Sequence, residues 1–158
     1  MKLNVSHCGR DLGNNIISNI VIITGTGIFL TSDWTGAGSP TSFKIDGFTE
    51  IGTTALQNQA TITEVVIGNS VATIETYAFD SCTNLSSLSF ESGSVLSWIK
   101  SIAFMNTNIT GSITLPTTMT KIGQGAFASC SNLTSVNFNE LSQLTLIAAS
   151  AFRYSGLS

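Results

Sequence analysis

The chain has 158 residues, a formal net charge of −3 and only 9% charged residues, against about 25% in a typical globular protein. Hydrophobic residues make up 42% of it, which is enough for a folded core and excludes a disordered tail. The six basic residues are scattered and form no stripe, which argues against nucleic-acid binding. No apolar run approaches the roughly 20 residues of a membrane span.

The first 45 residues are rich in strand-forming side chains. Residues 16–23 and 27–30 are predicted as two strands, with residues 24–27 forming a hairpin turn between them. Residues 33–42 are predicted as a Gly/Ser/Pro loop. The N-terminus has no apolar stretch of the kind that a signal peptide needs, so we expect either that the protein is not exported by that route or that a leader lies outside this sequence.

From residue 51 onward the sequence repeats. An Ala-Phe pair, or Ala-Leu in the first case, recurs at spacings of 23, 25, 23 and 25 residues, so that pairs of units are duplicated with a 48-residue period. We call the second residue of each pair the anchor; the anchors are Leu56, Phe79, Phe104, Phe127 and Phe152. Nine and eleven residues after an anchor the sequence is again apolar: Val65 and Ile67, Leu88 and Phe90, Ile113 and Leu115, and Val136 and Phe138.

Two apolar residues spaced two apart face the same side of a strand. The segment around each anchor is too short for a full helix, so it is predicted as a turn. One such unit cannot bury its apolar side alone, but stacked units can, and the pattern therefore predicts a mainly β solenoid with short turn, 3-10 or helical segments. We expect the phenylalanine anchors to lie in a single row.

The repeats at residues 74–90 and 122–138 follow the pattern I-x-x-x-A-F-x-x-C-x-x-L-x-x-[LV]-x-F. This pattern resembles the BspA-type leucine-rich repeat, which is common in surface and secreted proteins of bacteria and of some parasitic protists. The resemblance covers residues 51–158 and implies a right-handed leucine-rich-repeat superhelix. It also implies a location outside a cell and a role in protein interaction or adhesion.

Some units depart from the family pattern. Leu56 replaces the first Phe, and Gln59 and Thr107 stand in the Cys position. The unit anchored at Phe104 slips by one residue, so that Thr110 takes the place of a leucine. We divide the chain into an N-terminal β capping segment, residues 1–45, and about five repeats, residues 46–158, of which the last is incomplete.

The sequence contains no recognisable catalytic or metal-binding constellation. Its one histidine, His7, adjoins Cys8, but a zinc site needs about four ligands. Cys82 and Cys130 occupy equivalent repeat positions, so they are predicted to be small buried residues that face the core. We therefore predict no enzymatic activity, no cofactor and no metal.

The remaining candidates lie on the other side of each repeat strand, where stacking would align them in a flat ladder with little charge. They are Glu64, Val66, Ser87, Ser89, Ser112, Thr114, Ser135 and Asn137. Such repeated faces commonly bind partners in solenoid proteins. Alternatively, the ladder only keeps the sheet soluble and interlocked through hydroxyl hydrogen bonds. It lacks the aromatic residues that dominate tight interfaces.

Three functional hypotheses follow. The first is a non-enzymatic interaction or adhesion module of a cell-surface or secreted protein, whose partner is a protein or a host-surface glycoprotein. The second is a structural subunit of a larger assembly, such as a virion, phage decoration or fibre protein, joined through solenoid edges. The open C-terminal edge would then allow self-association. The third is a glycan-binding or glycan-active protein, with Trp34, Tyr77 and Trp98 as candidate sugar contacts.

Four Asn-x-Ser/Thr sequences matter only if the host glycosylates secreted proteins. They begin at Asn4, Asn84, Asn108 and Asn132.

Overall fold

The computed structural model describes residues 4–11, 16–138 and 143–157. In this part of the chain, strands alternate between two faces of a solenoid, and one short helix, α1 (Thr31–Gly36), follows the third strand. The strands are β1 (Asn4–Asp11), β2 (Ile16–Thr24), β3 (Ile28–Phe29), β4 (Ser42–Asp46), β5 (Glu50–Ile51), β6 (Glu64–Ile67), β7 (Thr73–Ile74), β8 (Ser87–Phe90), β9 (Trp98–Ile99), β10 (Gly111–Leu115), β11 (Lys121–Ile122), β12 (Leu133–Phe138) and β13 (Leu146–Ile147).

The longer strands form one face and the two-residue strands form the other. The first face contains a five-stranded sheet in the order β1-β2-β4-β6-β8, followed by a two-stranded sheet, β10-β12. The second face is a single sheet in the order β3-β5-β7-β9-β11-β13. Neighbouring strands are parallel because a full turn of the chain separates them; only β1 and β2 pair antiparallel. The predicted mainly β solenoid is thus confirmed.

The hairpin predicted at residues 24–27 is wrong. β2 pairs with β1 on one side and with β4 on the other, so it has no free edge for β3. β3 instead pairs with β5 in the other sheet. The glycine-containing segment is therefore a corner between the two faces, and the Gly25 amide donates to the Asp46 carbonyl of the next turn at 3.2 Å.

The loop predicted at residues 33–42 is partly helical, because α1 extends to Gly36. This helix brings Trp34 into the core, five residues after the end of β3, and each anchor likewise follows a short strand by five residues. The Trp34 indole N–H donates to the Pro40 carbonyl at 3.0 Å. The predicted boundary between the capping segment and the repeats lies at residue 45, within β4. β4 pairs in parallel with β6 of the first repeat, so the sheet continues past this boundary. The division into two parts stays a prediction.

Each repeat turn contains two residues in the left-handed region, one two positions before the anchor and one two positions after it. Such residues interrupt helical hydrogen bonding and fold the segment into successive tight turns. Only one of these residues is glycine, and the others adopt a conformation that is unfavourable for residues with a side chain. The pairs are Thr54 and Asn58, Tyr77 and Ser81, Ile102 and Asn106, Gly125 and Ser129, and Ser150 and Tyr154.

The anchors form the centre of the core. The rings of Phe79, Phe104, Phe127 and Phe152 are stacked in sequence, with centroids 4.9, 5.2 and 5.4 Å apart and planes within 8° of parallel. The anchor amides hold this spacing, because the Phe104 amide donates to the Ala126 carbonyl of the next turn at 2.8 Å, and its neighbours do the same. The predicted single row of phenylalanines is confirmed.

The two repeat cysteines are buried, as predicted. Their thiols also link successive turns: Cys82 Sγ donates to the Leu56 carbonyl at 3.0 Å, and Cys130 Sγ donates to the Phe104 carbonyl at 3.2 Å. Thr107, in the equivalent position of the intervening turn, is also buried and donates within its own turn to the Phe104 carbonyl at 2.9 Å. Burial raises the pKa of the Cys82 thiol to about 12.

The slipped unit interrupts the first face. Ile109 is buried in place of the exposed Thr110, and Gly111, with φ of +70°, returns the chain to the strand register. The Thr110 amide still donates to the Ser86 carbonyl at 3.1 Å, but β8 and β10 are not paired as neighbours in a sheet. The interruption divides the face into a five-stranded and a two-stranded part.

The last turn exposes residues that earlier turns bury. Ile147 is 48% exposed, whereas Ile122, its equivalent one turn before, is fully buried. Phe138 is also exposed, whereas Leu115, its equivalent one turn before, is buried. Apolar strand edges of this kind favour association with a further strand; self-association through this end stays a prediction.

Candidate interaction surface

The eight predicted surface residues lie in two groups of four on the first face. In the five-stranded sheet, Glu64 is paired with Ser87 and Val66 with Ser89. In the two-stranded sheet, the pairs are Ser112 with Ser135 and Thr114 with Asn137. The interruption between β8 and β10 separates the two groups, so the ladder that the sequence predicts as continuous consists of two halves.

Seven of the eight side chains reach the solvent at least in part. Ser87, Ser89, Ser112, Thr114 and Asn137 are exposed, and Glu64 and Ser135 are half-buried.

Val66 is the exception, because it is only 7% exposed. Lys44 lies beside it in the same row, on β4. The ammonium of this lysine reaches Glu91 beyond β8, so its side chain crosses β6. The prediction that Val66 is an exposed member of the ladder is wrong.

The two-stranded part contains the interlocking hydrogen bonds that the sequence suggested. Asn137 Nδ2 donates to Ser112 Oγ at 3.1 Å and to Thr114 Oγ1 at 3.3 Å. In the five-stranded part, Ser42 Oγ donates to Glu64 Oε2 at 2.7 Å. These bonds run across strands, so the polar ladder also stabilises the sheet that presents it.

The structure extends this surface over β2 and β4, whose outward residues were not among the predicted surface residues. Ile22 and Lys44 continue the row of Val66 and Ser89 through β2 and β4. Ser42 likewise continues the row of Glu64 and Ser87. A signal for β4 is present in the sequence, because Phe43 and Ile45 show the same two-residue apolar spacing and lie 22 residues before Val65 and Ile67.

An ion-pair network crosses the five-stranded part. Lys44 Nζ lies 2.6 Å from Glu91 Oε1 and 3.3 Å from Asp46 Oδ1. Glu91 Oε2 accepts the Asn69 amide N–H at 3.0 Å. Gly68 allows the next turn to pack closely beside Asp46, because a Cβ there would lie 2.3 Å from the Ile45 carbonyl oxygen and 3.1 Å from Asp46 Oδ1.

The network shifts the pKa values of both partners. Partial burial opposes the charged form of Lys44, but the hydrogen bond to Glu91 and the neighbouring carboxylates outweigh it, so the lysine pKa is raised. The hydrogen bond from Lys44 holds the pKa of Glu91 below its ordinary value, against the opposing effect of burial. Each group therefore keeps its charge across the neutral pH range.

A groove of about 510 Å³ lies over this network. Its lining combines aliphatic side chains of β2 and β6 with the Lys44–Glu91 pair and the chain that follows β8. The lining residues are Ile20, Ile22, Lys44, Val66, Ser89, Phe90, Glu91 and Ser92.

The aromatic residues considered for sugar binding do not form one platform. Trp34 is buried, whereas Trp98 is 38% exposed on the second face. Lys100 Nζ and Lys121 Nζ lie 4.8 and 5.0 Å from the Trp98 ring centroid, so cations already contact this ring. Tyr77 is exposed at the turn that follows β7.

Across the described ranges, no three His, Cys, Asp or Glu residues are grouped closely enough to hold a metal ion. The side chains of Asn4, His7 and Cys8 lie outside the described part of the structure. The same described ranges contain no helix with the length and apolar character that crossing a bilayer requires.

The alternating faces, the stacked anchors and the exposed polar rows define a leucine-rich-repeat solenoid. Residues 49–158 match six copies of the BspA type leucine rich repeat region, and the chain belongs to this family. No curated protein matches it.

Solved structures share the fold. The pneumococcal vaccine antigen PcpA is 20% identical, with a TM-score of 0.62 over 97% of this chain and 40% of its own. The T. pallidum leucine rich repeat protein is 29% identical, with a TM-score of 0.63 over 87% of this chain and 61% of its own. The chain thus spans about two fifths and three fifths of the lengths of these two proteins.

Proposed function

We propose that the chain is a non-enzymatic interaction module that binds a protein or glycoprotein partner through the first face. The observation that carries this proposal is the alignment of the polar rows, five of whose predicted members are exposed on one side of the solenoid. A repeated face of this kind offers a partner a broad, regular surface rather than a pocket.

Family membership supports the proposal, because leucine-rich repeats of this type are typically non-enzymatic modules for protein interaction. We further propose that the module acts outside the cell or on its surface. In keeping with this location, one structural neighbour is a vaccine antigen. The comparisons offer no support for a virion, phage or fibre subunit.

Binding of the purified protein to an array of immobilised extracellular proteins and glycoproteins tests the proposal. The decisive variant combines Ser89→Arg, Thr114→Arg and Asn137→Arg, which places three bulky cations on exposed positions of the face. We expect the wild type to bind at least one array member and the triple variant to lose that binding. Its circular dichroism spectrum and thermal transition should stay close to those of the wild type.

A matched control combines Thr53→Arg, Gln124→Arg and Ala149→Arg, at exposed positions just beyond strands of the second face. This control has the same added charge, so it separates loss of the binding face from a general electrostatic effect. We expect it to bind as the wild type does. If the first-face variant retains binding, the site lies elsewhere and the proposal is wrong.

A further inference from the structure

We infer that the groove over β2, β4, β6 and β8 receives an extended peptide segment of the partner, and that this segment combines aliphatic residues with a lysine or arginine. The inference rests on the proposed function and names the chemistry of the segment that would be bound. It concerns only the five-stranded part of the face, which the interruption at β10 separates from the remaining rows.

The aliphatic part of the groove has the repeat of an extended chain. Ile20 and Ile22 lie two residues apart on β2, so their side chains project on the same side about 7 Å apart. The same spacing separates alternate side chains of a bound extended peptide. Val66 lies in the row of Ile22, on β6. The one aromatic lining residue, Phe90, packs partly against the core, so the groove offers no flat aromatic platform for a sugar ring.

The charges in and beside the groove favour a cationic partner. Asp46, Glu64 and Glu91 supply three carboxylates on this face, and Lys44 is the one cation among the described side chains of its strands. Lys44 already contacts two of the carboxylates, so it is committed within the protein rather than available to an anion. Among its described side chains the face therefore keeps an excess of negative charge, which disfavours nucleic acids and acidic glycans and attracts Lys or Arg.

Glu64 is the carboxylate best placed to accept a new partner. It lies half-buried in the row next to the groove, and Ser42 donates to only one of its oxygens, Oε2. A carboxylate has about four acceptor positions, so Glu64 can still accept hydrogen bonds from an incoming guanidinium or ammonium group. Such charge-assisted bonds fix the register of a bound segment more than they raise its affinity.

Selection from a random-sequence peptide library tests the inference. The wild-type protein should enrich peptides that contain Lys or Arg beside aliphatic residues. Their binding should weaken as the salt concentration rises, because salt screens exposed charges. A synthetic peptide of the enriched sequence then serves as the probe for titrations with the variants.

Two matched lysine substitutions locate the bound peptide. Ser89→Lys adds a positive charge to the groove row, whereas Thr53→Lys adds one at an exposed position just beyond a strand of the second face. We expect the first to weaken binding about tenfold or more and the second to leave it within about twofold. Glu64→Gln removes one carboxylate without adding bulk, and should weaken binding several-fold and flatten the salt dependence.

Three outcomes would overturn the inference. The first is enrichment of acidic or uncharged peptides, even if Ser89→Lys abolishes their binding; the face would then bind peptides of a different class. The second is equal weakening by Ser89→Lys and Thr53→Lys, which would place the peptide outside the groove. The third is failure to enrich any peptide. None of these results decides the proposed function, because the array experiment tests the whole face with intact partner proteins.

Discussion

The stacking of the anchors predicts that the stability lost on replacing an anchor with alanine depends strongly on its position in the row. Phe104 is fully buried, and its ring lies between Phe79 at 4.9 Å and Phe127 at 5.2 Å. Replacing a buried Phe with Ala costs about 3–5 kcal/mol of unfolding free energy. Each lost ring pair accounts for about 0.5–1.5 kcal/mol of that. We therefore expect Phe104→Ala to lower the free energy of unfolding by about 4 kcal/mol.

Phe152, at the end of the row, provides an internal comparison. It has one stacked partner in the described structure, Phe127 at 5.4 Å, and is only partly buried. Phe152→Ala should therefore cost roughly half as much as Phe104→Ala, about 2 kcal/mol. Phe104→Leu keeps most of the apolar volume but loses both ring contacts, so it should cost about 1–3 kcal/mol.

Urea unfolding followed by circular dichroism measures these costs. In a solenoid each turn is stabilised mainly by its neighbours, so removal of the central anchor is also expected to uncouple the two ends and lower the apparent m-value. Equal costs for Phe104→Ala and Phe152→Ala would refute the reasoning, as would a cost below about 1 kcal/mol for Phe104→Ala.

Two further predictions concern the ion pair and the cysteines. Glu91→Gln should lower stability by about 1 kcal/mol or less, given the partial exposure of the pair. Because the pKa of Glu91 is lowered in the folded protein, its ionised form stabilises the fold above the ordinary pKa of 4.5. This stabilisation is lost as the pH falls through the folded-state pKa. Because the pKa of Lys44 is raised, its charged form stabilises the fold below the ordinary pKa of 10.5, and this stabilisation is lost as the pH rises through the folded-state pKa. Chemical unfolding of the wild type and the variant should therefore show a stability difference near neutral pH that shrinks as the pH falls through the lowered, folded-state pKa of Glu91; a constant difference would contradict the pairing. Cys82 and Cys130 should resist a thiol reagent at about pH 8 in the folded protein and react fully in urea, because both are buried and have raised pKa values. In a Cys8→Ser background only Cys82 and Cys130 can react, so the labelling reports these two thiols alone. Rapid labelling without denaturant would contradict the prediction, because it would show that the turns open.

Much of the architecture could be predicted from the sequence because it depends on local periodicity. The anchors recur at nearly constant spacing, and the apolar pair on each repeat strand identifies its buried side. That pattern was sufficient to predict the stacked phenylalanines, the buried cysteines and most of the exposed polar row. It also indicated the slip near Phe104, since Thr110 stands where a core residue is expected.

Other features depend on contacts between residues far apart in the chain. The sequence around Gly25 is compatible with a hairpin, but β2 becomes part of the parallel face because its two edges pair with β1 and β4. The alternation along β6 predicts an exposed Val66, but the structure buries it in a row where Lys44, 22 residues away, reaches across the sheet to Glu91. Local pattern determines which side of a strand faces the core; the stacking of the turns decides which side chains meet on the outer surface.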